Sequence, residues 1–155
     1  MTLAELKAEA VAKKYSEGVI VGFDSVGWFN GLILEKPNST EEAFSRLRCL
    51  SGKNHELITG VYMRDLRNGN SAIRKVVTTV ASMRELTDQE IIFYLNQYPD
   101  FKNRAMGYDP LEGFSMSFID RIEGSYNNLL RGVPIECVVE MLHELGEFNL
   151  VVNKA

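Results

Sequence analysis

The chain has 155 residues, enough for one compact domain that buries about two thirds of its unfolded surface. Apolar residues make up 45% and charged residues 25%, which excludes the low-hydrophobicity, high-charge composition of a disordered chain. Seventeen Lys and Arg stand against 21 Asp and Glu without a long basic run, so no nucleic-acid polymer is an expected partner, whereas a small phosphorylated ligand needs only a few local cations.

The opening TLAELKAEAVAKKY predicts a helix: Thr2 and Glu5 have capping-box spacing, and Leu3, Leu6, Ala10 and Val11 follow a helical period. Its charges are unlike those of a signal peptide, and no later stretch reaches the roughly 18 uninterrupted apolar residues of a membrane helix. A cytoplasmic protein without a membrane partner is therefore expected. GVIVGFDSVGWF and LILEKP then read as two antiparallel strands joined by the tight turn Asn30-Gly31.

NSTEEAFSRLRCLSG predicts a second helix, capped by Ser39 and Glu42 and stopped at Gly52. HELITGVYMRDL and AIRKVVTTVASMREL flank RNGNS and pair as a long hairpin. Thr87 and Glu90 cap a third helix, TDQEIIFYLNQY, before Pro99. DFKNRAMGYDPLEGF, dense in turn residues, reads as a structured loop, SMSFIDRIEG as a strand, and GVPIECVVEMLHELG as a final helix from Pro134 to Gly146. With no repeat or linker, the expectation is one domain, residues 1–155, of α/β class with a mixed twisted sheet and flanking helices. Cys49 and Cys137 sit in helical patterns far apart and are expected to be buried small hydrophobes.

Asp24 interrupts a strand otherwise made of Val, Ile, Gly and Phe. On the residues alone two readings stand open: a strand-end aspartate bonded to a turn, or a metal ligand or general base. Lys36 precedes Pro37, which biases it to an extended conformation; alone it reads as a solvated charge, as do Lys7, Lys53 and Arg104. SGKN at Ser51 to Asn54 lacks the glycine and hydroxyl of a P-loop, and His55 and His143 have no partner at zinc-ligand spacing. Trp28, Phe29, Phe114 and Phe118 read as sheet and core aromatics.

Several segments, in order along the chain, resemble the Maf-like nucleoside triphosphate pyrophosphatases. LAELKAEAVA resembles the family's Lys-Ala helix, GFDSV its Ala-Asp-Thr-like strand end, and LEKP its Gly-Lys-Pro. LRCLSGKNHELITGV matches its Leu-Ser-Gly-x-x-His-x-Val-x-Thr-Gly-Val signature, and GYDPLEGF with FIDRIEGSYNN resembles its Gln/Glu-Gly loop and Ile-Glu-Gly-x-Tyr-x-Asn strand. The resemblance implies a fold related to inosine triphosphatases. It implies hydrolysis of a nucleoside triphosphate to the monophosphate and pyrophosphate with a divalent cation, Mg²⁺ or Mn²⁺. It also implies Asp24 as proton acceptor or metal ligand, Lys7 and Lys36 as phosphate-facing lysines, and Ser25 and Glu112 as the positions that set base preference. A homodimer is the implied assembly.

The sequence also departs from the family pattern. It opens at the helix that in the family follows a strand and a Ser-x-Ser-x-Arg-Arg-like loop, so a shortened domain without that phosphate cradle is expected. One extra residue falls near Asp109-Pro110 and another at Arg131, before Gly132-Val133-Pro134. Two alternatives therefore stand beside the enzyme: a nucleotide-binding or septum-formation regulator without turnover, and an oligomerising domain that keeps only the family core.

Overall fold

A computed structural model describes residues 3–67 and 71–146. The predicted cap at Thr2 and the tip of the RNGNS turn lie outside the described residues.

Helix α1 (Leu3–Ala12) leads into the long strand β1 (Val19–Phe29). Asn30 and Gly31, both at positive φ (49° and 83°), return the chain into the short strand β2 (Leu32–Leu34). Helix α2 (Thr40–Leu50) follows, with Ser39 Oγ accepting from the Glu42 N–H and the Glu42 carboxylate accepting from the Asn38 N–H. Strands β3 (Asn54–Asp65) and β4 (Ala72–Met83) form the expected long hairpin. Helix α3 (Asp88–Gln97) carries the predicted capping box of Thr87 and Glu90. The predicted loop contains two 3₁₀ turns, Pro99–Asn103 and Gly113–Ser117, before strand β5 (Ile119–Glu123).

The order β2-β1-β3-β4-β5 gives a five-stranded sheet flanked by helices, the α/β class read from the sequence. A mixed sheet was expected; the four ladders among the described residues are all antiparallel, because tight turns or long excursions join neighbouring strands without a parallel crossover. A second difference follows β5. The Ser-Tyr-Asn-Asn run that seemed to continue the strand is the start of helix α4 (Tyr126–Arg131), because Ser125 Oγ accepts from the Asn128 N–H and caps it. Helix α5 (Ile135–Glu144) completes the described chain.

Residues of β1 and β3 alternate between two faces. Gly22 and Tyr62 face α1, where Ala4 and Ala8 are buried, and the small residues let helix and strand approach closely. The opposite face carries the main core, built from Leu57 and Ala81 of the sheet, Leu47 and Leu50 of α2, Ile91 and Tyr94 of α3, and Leu129 of α4. Each fully buried Leu there contributes about 1.5–3 kcal/mol relative to exposure. Val61 and Met63 pack on Cys137 and Met141 of α5. Cys49 is exposed, contrary to expectation, because the buried stripe of α2 runs through Ala43, Leu47 and Leu50 and passes it by.

Candidate functional site

Strand β2 reaches only Gly27 to Phe29 of β1. Among the described residues no strand therefore pairs with Val19–Val26 on the side away from β3, and this open edge contains Asp24 and Ser25. Alternation sends the two side chains to opposite faces. Asp24 shares the α1 face, where Lys7 Nζ lies 2.6 Å from its Oδ1 and also donates to the Phe23 carbonyl at 3.3 Å. The Asp24 side chain keeps 23% of its surface exposed, so the carboxylate is oriented by the lysine and still open to a ligand.

Ser25 faces the other way, its hydroxyl 2.7 Å from Thr59 Oγ1. It lines an open cleft of about 270 Å³ together with Lys36, Leu57, Arg104, Asp109 and Arg131. That volume lies just below the usual range for small-molecule sites and suits part of a nucleotide. Three cations against one carboxylate give the cleft a positive balance, while Leu57, Met106, Leu129 and Pro110 supply apolar wall.

Neighbouring elements hold each wall in place. Arg46 of α2 donates to the Glu35 carbonyl, next to Lys36, and to the Ala105 carbonyl at 2.5 Å, and its Nη2 lies 3.0 Å from Glu42. The Lys36 loop is thus tied across α2 to the loop that carries Arg104. Asp109 is buried, accepts from the Leu111 N–H at 2.9 Å, and lies 2.6 Å from Arg104 and 4.0 Å from Arg131. Asn128 of α4, fully buried, donates to the Leu57 carbonyl, the Val77 carbonyl and Thr79 Oγ1 at 3.0–3.3 Å, fastening α4 to β3 and β4. Gly132 ends α4 in the left-handed region at φ 66°, and a Cβ there would stand 2.6 Å from Ser25 Oγ. Glycine is what lets this turn close over Ser25.

Beneath the cleft, His55 Nε2 and the Tyr108 hydroxyl are 2.7 Å apart, both side chains buried. Burial lowers the His55 pKa to about 4, outweighing the Lys53 backbone interaction that raises it, and burial likewise pushes the Tyr108 phenol up. His55 is therefore neutral in the folded protein at pH 7. Its folded pKa lies below the ordinary 6.5, so the stabilisation is present above pH 6.5 and is lost as pH falls towards 4. Between pH 7 and 4.5 the wild type should lose about 2–3 kcal/mol more unfolding free energy than His55→Gln, measured by urea titration. Equal losses in the two proteins would contradict a neutral buried His55.

Of the residues singled out by sequence, the structure joins Lys7 to Asp24 and gathers Ser25 and Lys36 into the cleft. Glu112 precedes the second 3₁₀ turn, where its carbonyl accepts from Ser115 Oγ, and it does not line the cleft. Arg104, discounted as a surface charge, and Asp109 and Arg131 are lining residues that sequence reasoning did not select. The available signal was the departure from the family pattern expected near Asp109-Pro110 and at Arg131.

Fold and site together define an α/β domain whose strand β1 separates a lysine-held carboxylate from a cationic cleft, an arrangement suited to a phosphorylated small molecule. The sequence profile of Maf-like proteins matches residues 1–145. A dTTP/UTP pyrophosphatase of Alkaliphilus metalliredigens (strain QYMF) is 39% identical over 152 residues, 97% of this chain and 76% of the relative. The dTTP/UTP pyrophosphatase of Syntrophomonas wolfei subsp. wolfei is 36% identical over 152 residues, 98% of this chain and 78% of the relative. That of Pyrococcus furiosus is 35% identical over 144 residues, 93% and 72% respectively. The chain belongs to the Maf-like protein family.

Proposed function

We propose that this chain is a nucleoside triphosphate pyrophosphatase that hydrolyses the bond between the α and β phosphates and releases the monophosphate and pyrophosphate. The observation that carries the reading is the pairing of Lys7 with a part-exposed Asp24 at the open edge of β1, one residue from the cleft that holds Ser25 and Lys36. A substrate that wraps this edge meets both clusters.

In this reading water adds to the α phosphorus, its proton passes to Asp24, and the bond to the bridging oxygen breaks so that pyrophosphate leaves. Lys7 fixes the Asp24 carboxylate, and Lys7 and Lys36 offset the negative charge on the phosphoryl oxygens. Ser25, its hydroxyl oriented by Thr59, selects the base from within the cleft, and Glu112 acts on it from the neighbouring loop outside that lining. Glu112 as a carboxylate only accepts hydrogen bonds, which favours a base edge that donates.

Among the described residues no three His, Cys, Asp or Glu side chains gather into a metal cage. Mg²⁺ needs no cage: one or two carboxylates and the substrate's own phosphates suffice, and the single accessible carboxylate of Asp24 fits that mode. When bound, Mg²⁺ or Mn²⁺ would neutralise phosphoryl charge and acidify the attacking water.

The relatives' names put dTTP and UTP first in the panel of triphosphates to be tested. Pyrophosphate release by the purified protein is expected from at least one member of a canonical and modified panel, with Mg²⁺ or Mn²⁺. Tight nucleotide binding with no release from any of them would reject the enzyme and favour the regulator.

A further inference from the structure

Asp109, in the loop before β5, and Arg131, at the end of α4, come together in space. Asp109 lies within 4.0 Å of Arg131 and 2.6 Å of Arg104, and all three line the cleft with Lys36. We propose that Arg104 and Arg131, held by Asp109, form an anion clamp that grips the pyrophosphoryl end of the nucleotide. The proposal rests on the pyrophosphatase reading for the identity of its ligand, and on geometry for the existence of the clamp.

Asp109 is fixed before any ligand arrives. Its side chain is 6% exposed, Oδ1 accepts from the Leu111 N–H, and Oδ2 lies 2.6 Å from Arg104 Nη2 and 4.0 Å from Arg131 Nη1. Asp109 therefore serves two guanidiniums, Asp100 Oδ2 stands 4.0 Å from Arg104 Nη2 as well, and with Lys36 the cluster still holds more cations than carboxylates. Arg104 is 42% and Arg131 63% exposed, so both charges stay hydrated, and their excess in a cleft walled by Leu57, Leu129 and Pro110 draws anions towards it. Pyrophosphate, with several negative charges, is drawn by that field more strongly than a neutral base.

Arg131 is the solvent-exposed half of the clamp, carried on an anchored backbone. Its side chain is 63% exposed and 4.0 Å from its carboxylate, so its N–H fork has donors left for a bidentate phosphate contact. Its backbone ends α4, held by the buried Asn128 and by Gly132 against Ser25.

The test is calorimetric binding of inorganic pyrophosphate, and separately of UMP, to the wild type, Arg131→Gln and Arg131→Lys at fixed ionic strength. Because Arg131 is exposed, both variants should fold. Arg131→Gln is expected to weaken pyrophosphate binding by about ten- to a hundredfold and Arg131→Lys by less, with UMP binding changed by no more than about threefold. Pyrophosphate binding within about twofold of wild type in Arg131→Gln would overturn the clamp. So would an equal loss for UMP, which would put Arg131 at the nucleoside end. Arg131-dependent pyrophosphate binding without triphosphate turnover would keep the clamp and sink the enzyme. Turnover with Arg131-independent pyrophosphate binding would do the reverse.

Discussion

Replacing Asp24 by Asn is expected to lower the rate of pyrophosphate release by about 10²–10⁴-fold while leaving the folded protein almost as stable. The substitution keeps the shape of the side chain and an oxygen for Lys7, but removes the negative charge that would take a proton and attract a divalent cation. Stability should hardly respond, because the Lys7 side chain is 58% exposed and an ion pair of that kind contributes at most about 1 kcal/mol. A steady-state assay beside a thermal melt separates the two effects. Activity within about twofold of wild type would remove Asp24 from the chemistry. A melting temperature that fell in step with activity would make the residue structural. Lys7 is expected to matter less, since Asp24 keeps its place on the strand without it.

Gly22 should be among the least replaceable residues of the sheet, and its neighbour across the ladder from Asp24, Gly60, should be tolerant. Both face α1. A Cβ on Gly22 would run into the Ala4 carbonyl oxygen, which is backbone and cannot move aside, and would stand 2.9 Å from Ala8 Cβ. A Cβ on Gly60 meets its nearest atoms, Ala4 Cβ and the Asp24 carbonyl, at 3.9 Å, an ordinary contact. Gly22→Ala must push α1 off the sheet, at a cost of about 3 kcal/mol or more, the upper end of overpacking effects. For a domain of this size that is a fall of about 6–12 °C in melting temperature. Gly60→Ala is expected to stay within about 1 kcal/mol of wild type. Displacing α1 also moves Lys7 away from Asp24, so Gly22→Ala should lose activity at temperatures where it is still folded. Equal melting temperatures for the two variants would mean that α1 does not sit on β1 as described.

What could be read before the fold was known was local in origin. The capping box of Thr87 and Glu90, the Ser39 cap and the Asn30-Gly31 turn are decided by side chains within a few positions of one another. Period-two and period-3.6 patterns likewise marked β1, β3, β4 and the longer helices. The misreadings had local causes too. Ser125 capped a helix only six residues long, too short to show a period, so α4 looked like the end of a strand. Cys49 follows the helical pattern loosely, and only the packing of α2 shows that it falls outside the buried stripe.

The site divides along the same line. Asp24 drew attention as a carboxylate inside an apolar strand, whereas Lys7 and Lys36, each a solvated charge when read alone, were singled out only by their place in a collinear set of family motifs. By itself the sequence determined the class of the fold and the family, and it nominated these individual side chains. Tertiary structure alone decided that Lys7 pairs with Asp24 on one face of β1 while Ser25 and Lys36 open onto the other. It alone brought Arg104, Asp109 and Arg131 around one cleft, turning apparent surface charges into a cluster. The physical reason is that these groups meet through long-range strand pairing, the tie of Arg46 to two separate loops and the anchoring of α4 by Asn128. None of those contacts leaves a mark in the residues on either side of the groups it brings together.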